Sequence, residues 1–549
     1  MNILEKIVKN LLKEKNLTRE KIASAKRKIA GAVKSASPLN AALLRVYQKL
    51  LKQGKIKQNK NLELLLKKRE IRTLSGVAPI AVLTKPYPCP GRCAYCPTEK
   101  GMPKSYLSNE PAVMRAIAYG FDPYRQTVGR IKTLEANGHP TDKLELIVIG
   151  GTWSALPRSY QNWFIKRCFD GANKKTSKNL AAAQKKNETA VHRIIGITLE
   201  TRPDKITPTE IKQMRELGAT RVELGVQAID DKILAKNLRG HNVAETVRAT
   251  KLLKDAGFKI CYHLMPNLPG STLAKDLKMF CEIFSNPNFQ PDMVKIYPCV
   301  VTRGSKIYKW WKQGKYKPYS EKQLVDLLIN IKKIIPPYVR VNRLIRDIPR
   351  PSIAAGNKIS NLREIIAAEM ARKDLRCKCI RCREVGHQNR NSARKGAPQK
   401  KCSLTAASPK LFVKKYPASG GTEYFISFDS PDKKILYAFV RLRIPDFKTP
   451  PVLPELKDAA LIRELHTYGH LVPIDKNSPG ATQHLGLGKK LMTEAEKIVQ
   501  QYNLRYSRGK AHSRYSPIEK MAVISGIGVR EYYKKLGYHL DGTYMVKPL

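Results

Sequence analysis

Three cysteines stand close together in the segment PYPCPGRCAYCPT, as Cys89, Cys93 and Cys96. The apolar run VAPIAVLT before them predicts a strand, so the cysteines lie on the loop that follows it. Thiolates at these spacings can bind three irons of a 4Fe-4S cube and leave the fourth iron open. Zinc is the alternative metal, but structural zinc prefers four ligands and no nearby Cys or His completes this set.

A second informative segment, QHLGLGKKLM, follows a predicted strand and opens a predicted helix. Its candidate binding residues are Gln483, His484, Leu485, Gly486, Leu487, Gly488 and Lys489. The backbone N–H groups of such a turn converge at the positive end of the helix dipole, and the glycines let a pyrophosphate approach the backbone. The segment predicts a phosphate site, although many helix starts contain glycine for other reasons.

Two further groups of residues have chemical potential. Glu464 and His466 in IRELHTYG could position or deprotonate a water or an amine, or simply occupy one face of a strand. A second cysteine group comprises Cys377, Cys379 and Cys382. Its spacing predicts a zinc site with His387 or Cys402 as the fourth ligand, and free thiols in a basic loop are the alternative.

These groups must be positioned by two different α/β units. Residues 76–363 contain six candidate strands, VAPIAVLT, LELIVIGG, IIGITLET, RVELGVQ, FKICYHLMP and MVKIYPCV, that alternate with helix-like segments such as TPTEIKQMRELG. This alternation predicts a parallel sheet in a barrel or partial barrel, whose chemistry sits at the carboxyl ends of the strands. The conspicuous residues at those ends are Gly150, Gly151, Glu200, Arg202, Gln227, His263 and Lys295.

The rest of the chain divides into three regions. Residues 1–75 are predicted to form small basic helices that face phosphates, with an ordinary solvated helical cap as the alternative. The lysine- and asparagine-rich insert at 171–190 predicts a surface loop or helix. Residues 364–405 are predicted to be a basic linker or a small metal-stabilised module, and residues 406–549 a separate α/β domain.

The composition favours a nucleic-acid partner. Lys and Arg number 102 against 45 Asp and Glu in 549 residues, which gives a formal charge of +57. Such an excess repels itself unless a polyanion offsets it, and salt-adapted surfaces usually mix signs or lean acidic. No membrane helix or signal peptide is expected, so the predicted location is the cytoplasm. Eleven cysteines are then better explained as metal ligands, core residues or catalytic thiols than as disulfides.

Each motif resembles a known superfamily. The CxxxCxxC triad with Tyr95 before the third cysteine resembles the radical S-adenosylmethionine (SAM) enzymes. That resemblance implies that the open iron binds SAM and that one electron from the cluster releases a 5′-deoxyadenosyl radical. It also implies that Gly150 and Gly151 meet the SAM amino group. Glu200, Arg202 and Gln227 would supply polar contacts, although the glycines could merely form a tight turn and Glu200 could pair with Arg202.

The C-terminal motifs resemble the GNAT acetyltransferases, which implies that the phosphate belongs to acetyl-coenzyme A (acetyl-CoA). The YYxKLGY segment is also typical of these domains. By resemblance, Tyr532 and Tyr533 lie beside the acetyl thioester and could hydrogen-bond the thioester or the leaving thiol. The alternative is that their rings belong to the core and only one hydroxyl is exposed.

The order of the motifs resembles the catalytic subunit of the Elongator complex and its stand-alone prokaryotic relatives. The resemblance rests on EPAVMRAI, FDPYRQTVGR, GGTWSALP, HLMPNLPG, VNRLIRDIP and VISGIGVREYYKKLGY, among other segments. It implies formation of a 5-carboxymethyl-type uridine at the wobble position of tRNA, with acetyl-CoA as carbon donor and an external electron donor. Lys295 would act near the base, with a salt bridge as its alternative role.

The compact triad and the added CxCxxC are closer to stand-alone forms than to the complex-bound subunit, which leaves the need for Elongator-type partner subunits open. Two other function classes remain at this point. One is a protein lysine acetyltransferase with a structural iron-sulfur domain. The other is a different radical SAM tRNA enzyme, such as a methylthiotransferase.

Overall fold

A computed structural model describes residues 3–14, 16–32, 36–67, 73–387, 409–469, 486–508 and 517–549. Three predicted binding residues, Gln483, His484 and Leu485, and the candidate zinc ligand Cys402 lie outside these ranges. Within the described ranges, no helix combines the length and apolar character needed to cross a lipid bilayer.

The N-terminal region consists of four helices with a small core of their own. The helices are α1 (Ile3–Lys13), α2 (Arg19–Ala32), α3 (Asn40–Lys52) and α4 (Lys60–Leu66). Ile7 and Leu11 of α1 pack against Leu43 and Tyr47 of α3, because apolar residues three or four positions apart share one helix face. The Tyr47 hydroxyl donates to Glu63 over 3.0 Å and thereby ties α3 to α4. The predicted basic helices are confirmed.

The middle of the chain is a seven-stranded, fully parallel sheet. Its strands, in spatial order, are β1 (Ala78–Leu83), β2 (Lys143–Ile149), β3 (Arg193–Thr201), β4 (Arg221–Gln227), β5 (Lys259–Leu264), β6 (Met293–Ile296) and β8 (Arg340–Arg343). All six predicted strands are present. The seventh, β8, was not predicted, because RVNR is short, and charged or polar at three of its four positions.

Helices connect and cover the strands of this sheet. They are α5 (Pro111–Ala118), α6 (Pro123–Ala136), α7 (Arg158–Asn173), α8 (Leu180–Asn187), α9 (Pro208–Glu216), α10 (Asp231–Lys236), α11 (Val243–Asp255), α12 (Leu273–Ser285), α13 (Lys306–Lys312) and α14 (Glu321–Ile334). The predicted insert contains the end of α7 and all of α8. A short hairpin of β7 (Val301–Thr302) with β9 (Ile353–Ala355) lies outside the main sheet. Helices α15 (Leu362–Arg372) and α16 (Ile380–Arg383) follow it.

The C-terminal part of the chain forms a second seven-stranded sheet, which is mixed. Its strands are β10 (Lys410–Ala418), β11 (Gly421–Asp429), β12 (Leu436–Ile444), β13 (Ala459–Thr467), β14 (Lys520–Val523), β15 (His539–Asp541) and β16 (Tyr544–Pro548). Its helices are α17 (Leu487–Arg508) and the short α18 (Arg530–Lys534). The predicted α/β class, a partial barrel followed by a second α/β domain, is confirmed.

A buried ion network joins the two sheets. Arg463 of β13 donates to Asp292, which directly precedes β6, with N–O distances of 3.0 and 2.5 Å. Arg463 also donates to Glu423 of β11 over 2.8 Å, and Lys254 of α11 lies 3.5 Å from the same residue. All four side chains are fully buried. Loss of one partner would strand a buried charge, which typically costs about 3–5 kcal/mol.

The contact between the two sheets also includes close backbone packing at Gly526. A Cβ atom at this position would lie 2.0 Å from the carbonyl oxygen of Ile195 in β3, a backbone atom that cannot turn aside. We expect Gly526→Ala to lower the free energy of unfolding by about 1–3 kcal/mol through overpacking. Gly31→Ala is the control, because nothing lies within 4 Å of its Cβ position in α2 and alanine favours helix. Equal melting temperatures for Gly526→Ala and the wild type would contradict this packing argument.

Candidate active site

The cysteine triad lies on the loop after β1, at the carboxyl edge of the parallel sheet. Cys93 and Cys96 are within hydrogen-bonding reach of each other, whereas the Cys89 sulfur faces the Thr152 hydroxyl at 3.5 Å. The guanidinium of Arg239, from the loop after α10, donates to the Cys93 sulfur over 3.3 Å. The pKa of Cys93 is lowered by the hydrogen bond with Cys96 and by the charge of Arg239, although burial acts in the opposite direction.

This loop fits an iron-sulfur cluster with one open iron. Its donors are three thiols and no carboxylate or imidazole, which is the soft ligand set that iron-sulfur clusters use. One buried polar atom beside it, Nη1 of Arg202, has no protein partner within the described residues. A Cβ on Gly91 would lie 2.4 Å from that same Nη1, so the loop needs glycine there to accommodate Arg202.

The predicted glycine pair follows β2 and has the left-handed backbone that favours glycine, with φ of 135° at Gly150 and 82° at Gly151. A Cβ on Gly150 would lie 2.1 Å from the Thr84 hydroxyl, so this glycine is needed for packing against the loop after β1. At Gly151 the nearest atom would be 3.8 Å away. Gly151 therefore leaves open space in which a ligand group can approach the backbone.

The polar residues predicted at later strand ends have separate partners. Arg202 donates through Nε to Asp204 over 2.8 Å, and Glu200 lies 3.4 Å from the His263 imidazole. The alternative that Glu200 pairs with Arg202 is therefore wrong. Gln227 has a φ of 70°, and its buried Oε1 has no partner within the described ranges.

Lys295 of β6 belongs to a buried charge cluster inside the half-barrel. Its ammonium contacts the carboxylate of Glu223, which also receives a 2.8 Å contact from His263. Burial acts to lower the pKa of Lys295, but the charge of Glu223 outweighs it and the net pKa is raised. Burial likewise acts to raise the pKa of Glu223, yet Lys295 and His263 hold it well below the usual range. The lysine is therefore charged, and the salt bridge that was its alternative role is present, while its action near the base stays a prediction.

The second sheet places Glu464 and His466 on the same face of β13. Arg441 of β12 donates to Glu464 over 2.9 Å. Burial acts to raise the pKa of Glu464, and the charges of Lys259 and Arg441 lower it overall. The Nε2 atom of His466 lies 2.7 Å from the Ser75 carbonyl oxygen, which can only accept. Burial lowers the pKa of His466, so the imidazole is neutral with Nε2 protonated and Nδ1 available as an acceptor.

Helix α17 begins at Leu487, so the predicted glycine turn stands at a helix N-terminus, with Gly486 at a φ of 69°. A Cβ on Gly488 would lie 2.8 Å from the hydroxyl of Tyr532, so this tyrosine lies beside the turn. Tyr532 is 39% exposed, whereas Tyr533 is buried and packs edge-on against it at 5.3 Å. The alternative that the tyrosine rings belong to the core therefore holds for Tyr533, whereas Tyr532 has the accessible hydroxyl. Lys489 also lies in the first turn of α17.

Parallel strands β13 and β14 diverge beside this turn. Their pairing runs from Ala459 opposite Lys520 to Ile462 opposite Val523, and the next contact is the amide of Ile524 with the Ile462 carbonyl at 3.1 Å. The end of β13 beyond this point has no β14 residue opposite it. This end of β13 lies beside the N-terminus of α17, because a Cβ on Gly488 would lie 3.9 Å from the Leu465 side chain of β13.

The second cysteine group is also assembled. The sulfur atoms of Cys377, Cys379 and Cys382 all lie within 4.8 Å of one another, and Lys332 donates to Cys382 over 3.5 Å. His387 does not join this group. Its imidazole instead lies 2.8 Å from Glu384, so the prediction of His387 as the fourth ligand is not supported by this arrangement.

Two functional positions were missed by reasoning from the sequence. Glu223 interrupts the apolar strand RVELGVQ, and a charged residue in a strand buried on both faces is a signal that something must pair with it. Arg239 lies 146 residues from Cys93, and no local pattern connects the two.

Comparison with known proteins agrees with this geometry. The Radical SAM superfamily profile matches residues 87–281, and the Radical_SAM C-terminal domain profile matches residues 291–372. A tRNA uridine(34) acetyltransferase of Methanocaldococcus infernus is 45% identical over 564 residues, covering 100% of this chain and 98% of the relative. Elongator complex protein 3 of Danio rerio is 40% identical and covers 88% and 86% respectively.

A solved structure of an archaeal relative also matches this chain. The archaeal Methanocaldococcus infernus Elp3 with residues 1–46 deleted matches with a TM-score of 0.73 and 45% identity, over 87% of this chain and 100% of that one. A radical SAM domain uses a 4Fe-4S cluster and SAM, so both belong to this protein. The chain belongs to the radical SAM family that includes the tRNA uridine(34) acetyltransferases and Elongator complex protein 3.

Proposed function

We propose that this protein forms a 5-carboxymethyl-type uridine at position 34 of tRNA by radical SAM chemistry, with acetyl-CoA as the carbon donor. The observation that carries the proposal is that a loop with three cysteines and a glycine turn at a helix N-terminus lie on two sheets that one buried ion network holds together. Relatives that match this chain over nearly its full length are named tRNA uridine(34) acetyltransferase.

Cys89, Cys93 and Cys96 would hold the cluster, and Gly151, Arg202 and Gln227 would contact SAM. When bound, the cluster and SAM supply one-electron chemistry that removes a hydrogen atom from an unactivated carbon. The unpartnered Nη1 of Arg202 and Oε1 of Gln227 support this role, because buried polar atoms without protein partners are available to a ligand. Gly150 would shape the loop, and Glu200 would act through His263.

The second sheet would bind acetyl-CoA. The turn from Gln483 to Lys489 would hold the pyrophosphate at the N-terminus of α17, and the end of β13 that has no β14 residue opposite it would receive the amide-bearing arm by strand-like hydrogen bonding. Tyr532 would contact the thioester from beside Gly488, and Tyr533 would support it. His466, neutral with a free Nδ1, would accept a proton from the water that hydrolyses the thioester, and Glu464 would fix the strand.

The overall reaction balances with these parts. The acetyl methyl group would lose one hydrogen atom to the 5′-deoxyadenosyl radical, and its carbon would bond to uridine C5. The adduct would then give up the C5 proton and one electron, for which the oxidised cluster is the acceptor. Water then cleaves the thioester to a carboxylate and the coenzyme A thiol. An external reductant supplies the first electron, and the wobble base must leave its stack to reach the half-barrel.

Lys295 would stabilise negative charge on the uracil carbonyl groups during this sequence, because it is buried and charged at a strand end. We expect Lys295→Met to reduce tRNA modification by about a hundredfold or more, the loss of roughly 2.7 kcal/mol of stabilisation. SAM cleavage without tRNA should persist. The same change at the exposed Lys212 is the control and should retain full activity. Unchanged modification by Lys295→Met would leave the lysine a structural partner of Glu223 only.

Binding of tRNA would use residues 1–75 and the wider positive surface that gives the chain its +57 charge. Phosphate contacts release counterions, so the affinity for tRNA should fall steeply with salt. Six or more phosphate contacts correspond to a loss on the order of a thousandfold between 50 and 200 mM salt. Fluorescence anisotropy of labelled tRNA across this range checks the prediction, and a flat response would contradict it.

The cysteines at 377, 379 and 382 would bind zinc as a structural ion in the 364–405 module that precedes the 406–549 domain. The fourth ligand would be Cys402 or a water, since His387 pairs with Glu384. We also propose that the protein works in the cytoplasm and without Elongator-type subunits, in line with its full-length match to an archaeal relative.

One assay separates this function from the two alternatives. Cluster-reconstituted protein is incubated without oxygen with SAM, a reductant, tRNA and acetyl-CoA labelled with ¹⁴C in the acetyl group. Label in uridine 34 supports the proposal. Label in protein lysines with none in tRNA would identify a protein acetyltransferase. Modified tRNA that carries no label would identify another radical SAM tRNA enzyme.

A further inference from the structure

Arg239 is a buried cation without a carboxylate partner. The residue is only 6% exposed, and no salt bridge to an acidic side chain involves it within the described ranges. The groups whose charge acts on Arg239 are Tyr95, Cys93 and Cys96 of the cysteine loop. A buried guanidinium is costly unless a negative charge lies nearby. The charge that this arginine faces is therefore the charge of the cysteine loop.

The contacts of Arg239 fix its orientation toward one sulfur. One terminal nitrogen, Nη2, donates to the carbonyl oxygen of Gly225 in β4, and the other, Nη1, donates to the Cys93 sulfur over 3.3 Å. The guanidinium is planar, so these two bonds leave it little freedom to turn away. Asn237 anchors the preceding chain by donating to the Pro269 carbonyl over 2.9 Å and by accepting the amide of Ala94 through its own carbonyl.

The consequence concerns electron transfer to the cluster. A hydrogen bond and a positive charge at a ligand sulfur stabilise the reduced, more negative form of an iron-sulfur cluster and raise its reduction potential. Arg202 lies nearby, but it is neutralised by Asp204 and has no hydrogen bond to a sulfur among the described residues. Arg239 is thus the described arginine whose charge and hydrogen bond both act on a cluster ligand.

We propose that Arg239 is a positioning residue that raises the reduction potential of the cluster through Cys93 and so makes the cluster accessible to the electron donor. This inference rests on the proposal that Cys89, Cys93 and Cys96 hold the cluster. It concerns the electron that starts the reaction rather than the binding of SAM or the chemistry of the acetyl group.

The test is the midpoint potential of the reconstituted full-length protein, measured by redox titration with electron paramagnetic resonance. SAM is left out, so that any contact of Arg239 with SAM does not contribute. Arg239→Gln should shift the potential to a more negative value, and Arg239→Lys, which keeps the charge but not both hydrogen bonds, should fall between Gln and wild type. Arg248→Gln removes an equal charge from an exposed position that donates only to the Ile206 carbonyl, and it should leave the potential unchanged.

The outcomes are distinguishable from failure of the proposed function. A wild-type protein that binds no cluster would overturn the cysteine assignment itself. A wild-type cluster whose potential is the same in Arg239→Gln would overturn only the role of Arg239. If the Gln variant binds no iron, the Lys variant decides by the same measurement. Loss of iron from both variants would assign Arg239 to cluster assembly and would also overturn the proposed role.

Discussion

Replacing Cys96 by alanine is expected to abolish SAM cleavage and tRNA modification while leaving tRNA affinity near the wild-type value. The variant removes one of three thiols, and a two-thiol loop cannot hold a cube through three irons. Cys96 lies on the loop after β1 of the parallel sheet, whereas the proposed tRNA contacts lie largely on the N-terminal helices, so tRNA binding should survive. Production of 5′-deoxyadenosine and modified uridine, both measured by mass spectrometry, should fall to the background level.

Cys281→Ala is the matched control. Cys281 is an exposed free thiol on α12 and belongs to no cysteine group, so its loss should leave iron content, SAM cleavage and modification unchanged. Modification of tRNA by the Cys96 variant would show that the radical mechanism is wrong. Loss of activity in Cys281→Ala would show instead that the assay responds to general thiol damage.

Gly488→Trp is expected to block the use of acetyl-CoA while leaving the cluster intact. Even a Cβ at this position meets the Tyr532 hydroxyl at 2.8 Å, and an indole would fill the space between the tyrosine and the helix N-terminus. We expect at least a hundredfold rise in the KM for acetyl-CoA, equivalent to about 2.8 kcal/mol. Cluster absorbance and SAM cleavage in the absence of acetyl-CoA should match the wild type.

A graded control comes from Gly488→Ala. Its single methyl group meets the end of a flexible tyrosine side chain, which can shift by a few tenths of an ångström, and makes an ordinary contact with Leu465 at 3.9 Å, so the rise in KM should be much smaller than for tryptophan. A wild-type KM in Gly488→Trp would place the acetyl donor somewhere other than this turn. Loss of the cluster in the same variant would point to misfolding rather than to a blocked site.

Sequence reasoning worked best where local chemistry decides the structure. The six predicted strands are apolar runs that a parallel sheet buries on both faces, and their carboxyl ends meet at one edge, which is why the cysteine loop and Lys295 could be assigned to one site. The predicted glycine turn could be assigned to a helix start because glycine and the first-turn pattern are local signals. These inferences needed no knowledge of distant contacts.

The parts that were missed depend on partners far apart in the sequence. The pairing of Glu464 with Arg441 and the contact of His466 with the Ser75 carbonyl are set by register and by docking of the two sheets, which no spacing encodes. The assignment of His387 to the cysteine group followed from proximity in sequence, but an acidic neighbour three residues away is the partner that its imidazole contacts. Strand β8 was missed because Val341 is its only apolar residue, so no apolar run marks it, and its place in the sheet comes from pairing with β6.

The buried ion network between the two sheets holds the two proposed sites in a fixed relation, as expected if both sites act on one acetyl group. Asp292 directly precedes β6 and binds Arg463 of β13. Lys295 of β6 belongs to the charge cluster inside the half-barrel, and Glu464 directly follows Arg463 in β13. Charges buried in this way resist separation of the domains, because each would be left without its partner. A fixed relation between the sites is what a hydrogen transfer from the acetyl methyl group requires.

The most direct measurement uses acetyl-CoA whose methyl group carries three deuterium atoms. With unlabelled SAM, tRNA and a reductant, we expect 5′-deoxyadenosine that contains one deuterium atom and modified uridine 34 that retains two deuterium atoms. Mass spectrometry of the two products from one reaction determines both numbers. Modified uridine accompanied by 5′-deoxyadenosine without deuterium would contradict the claim that the radical site acts on the acetyl group held by the second domain.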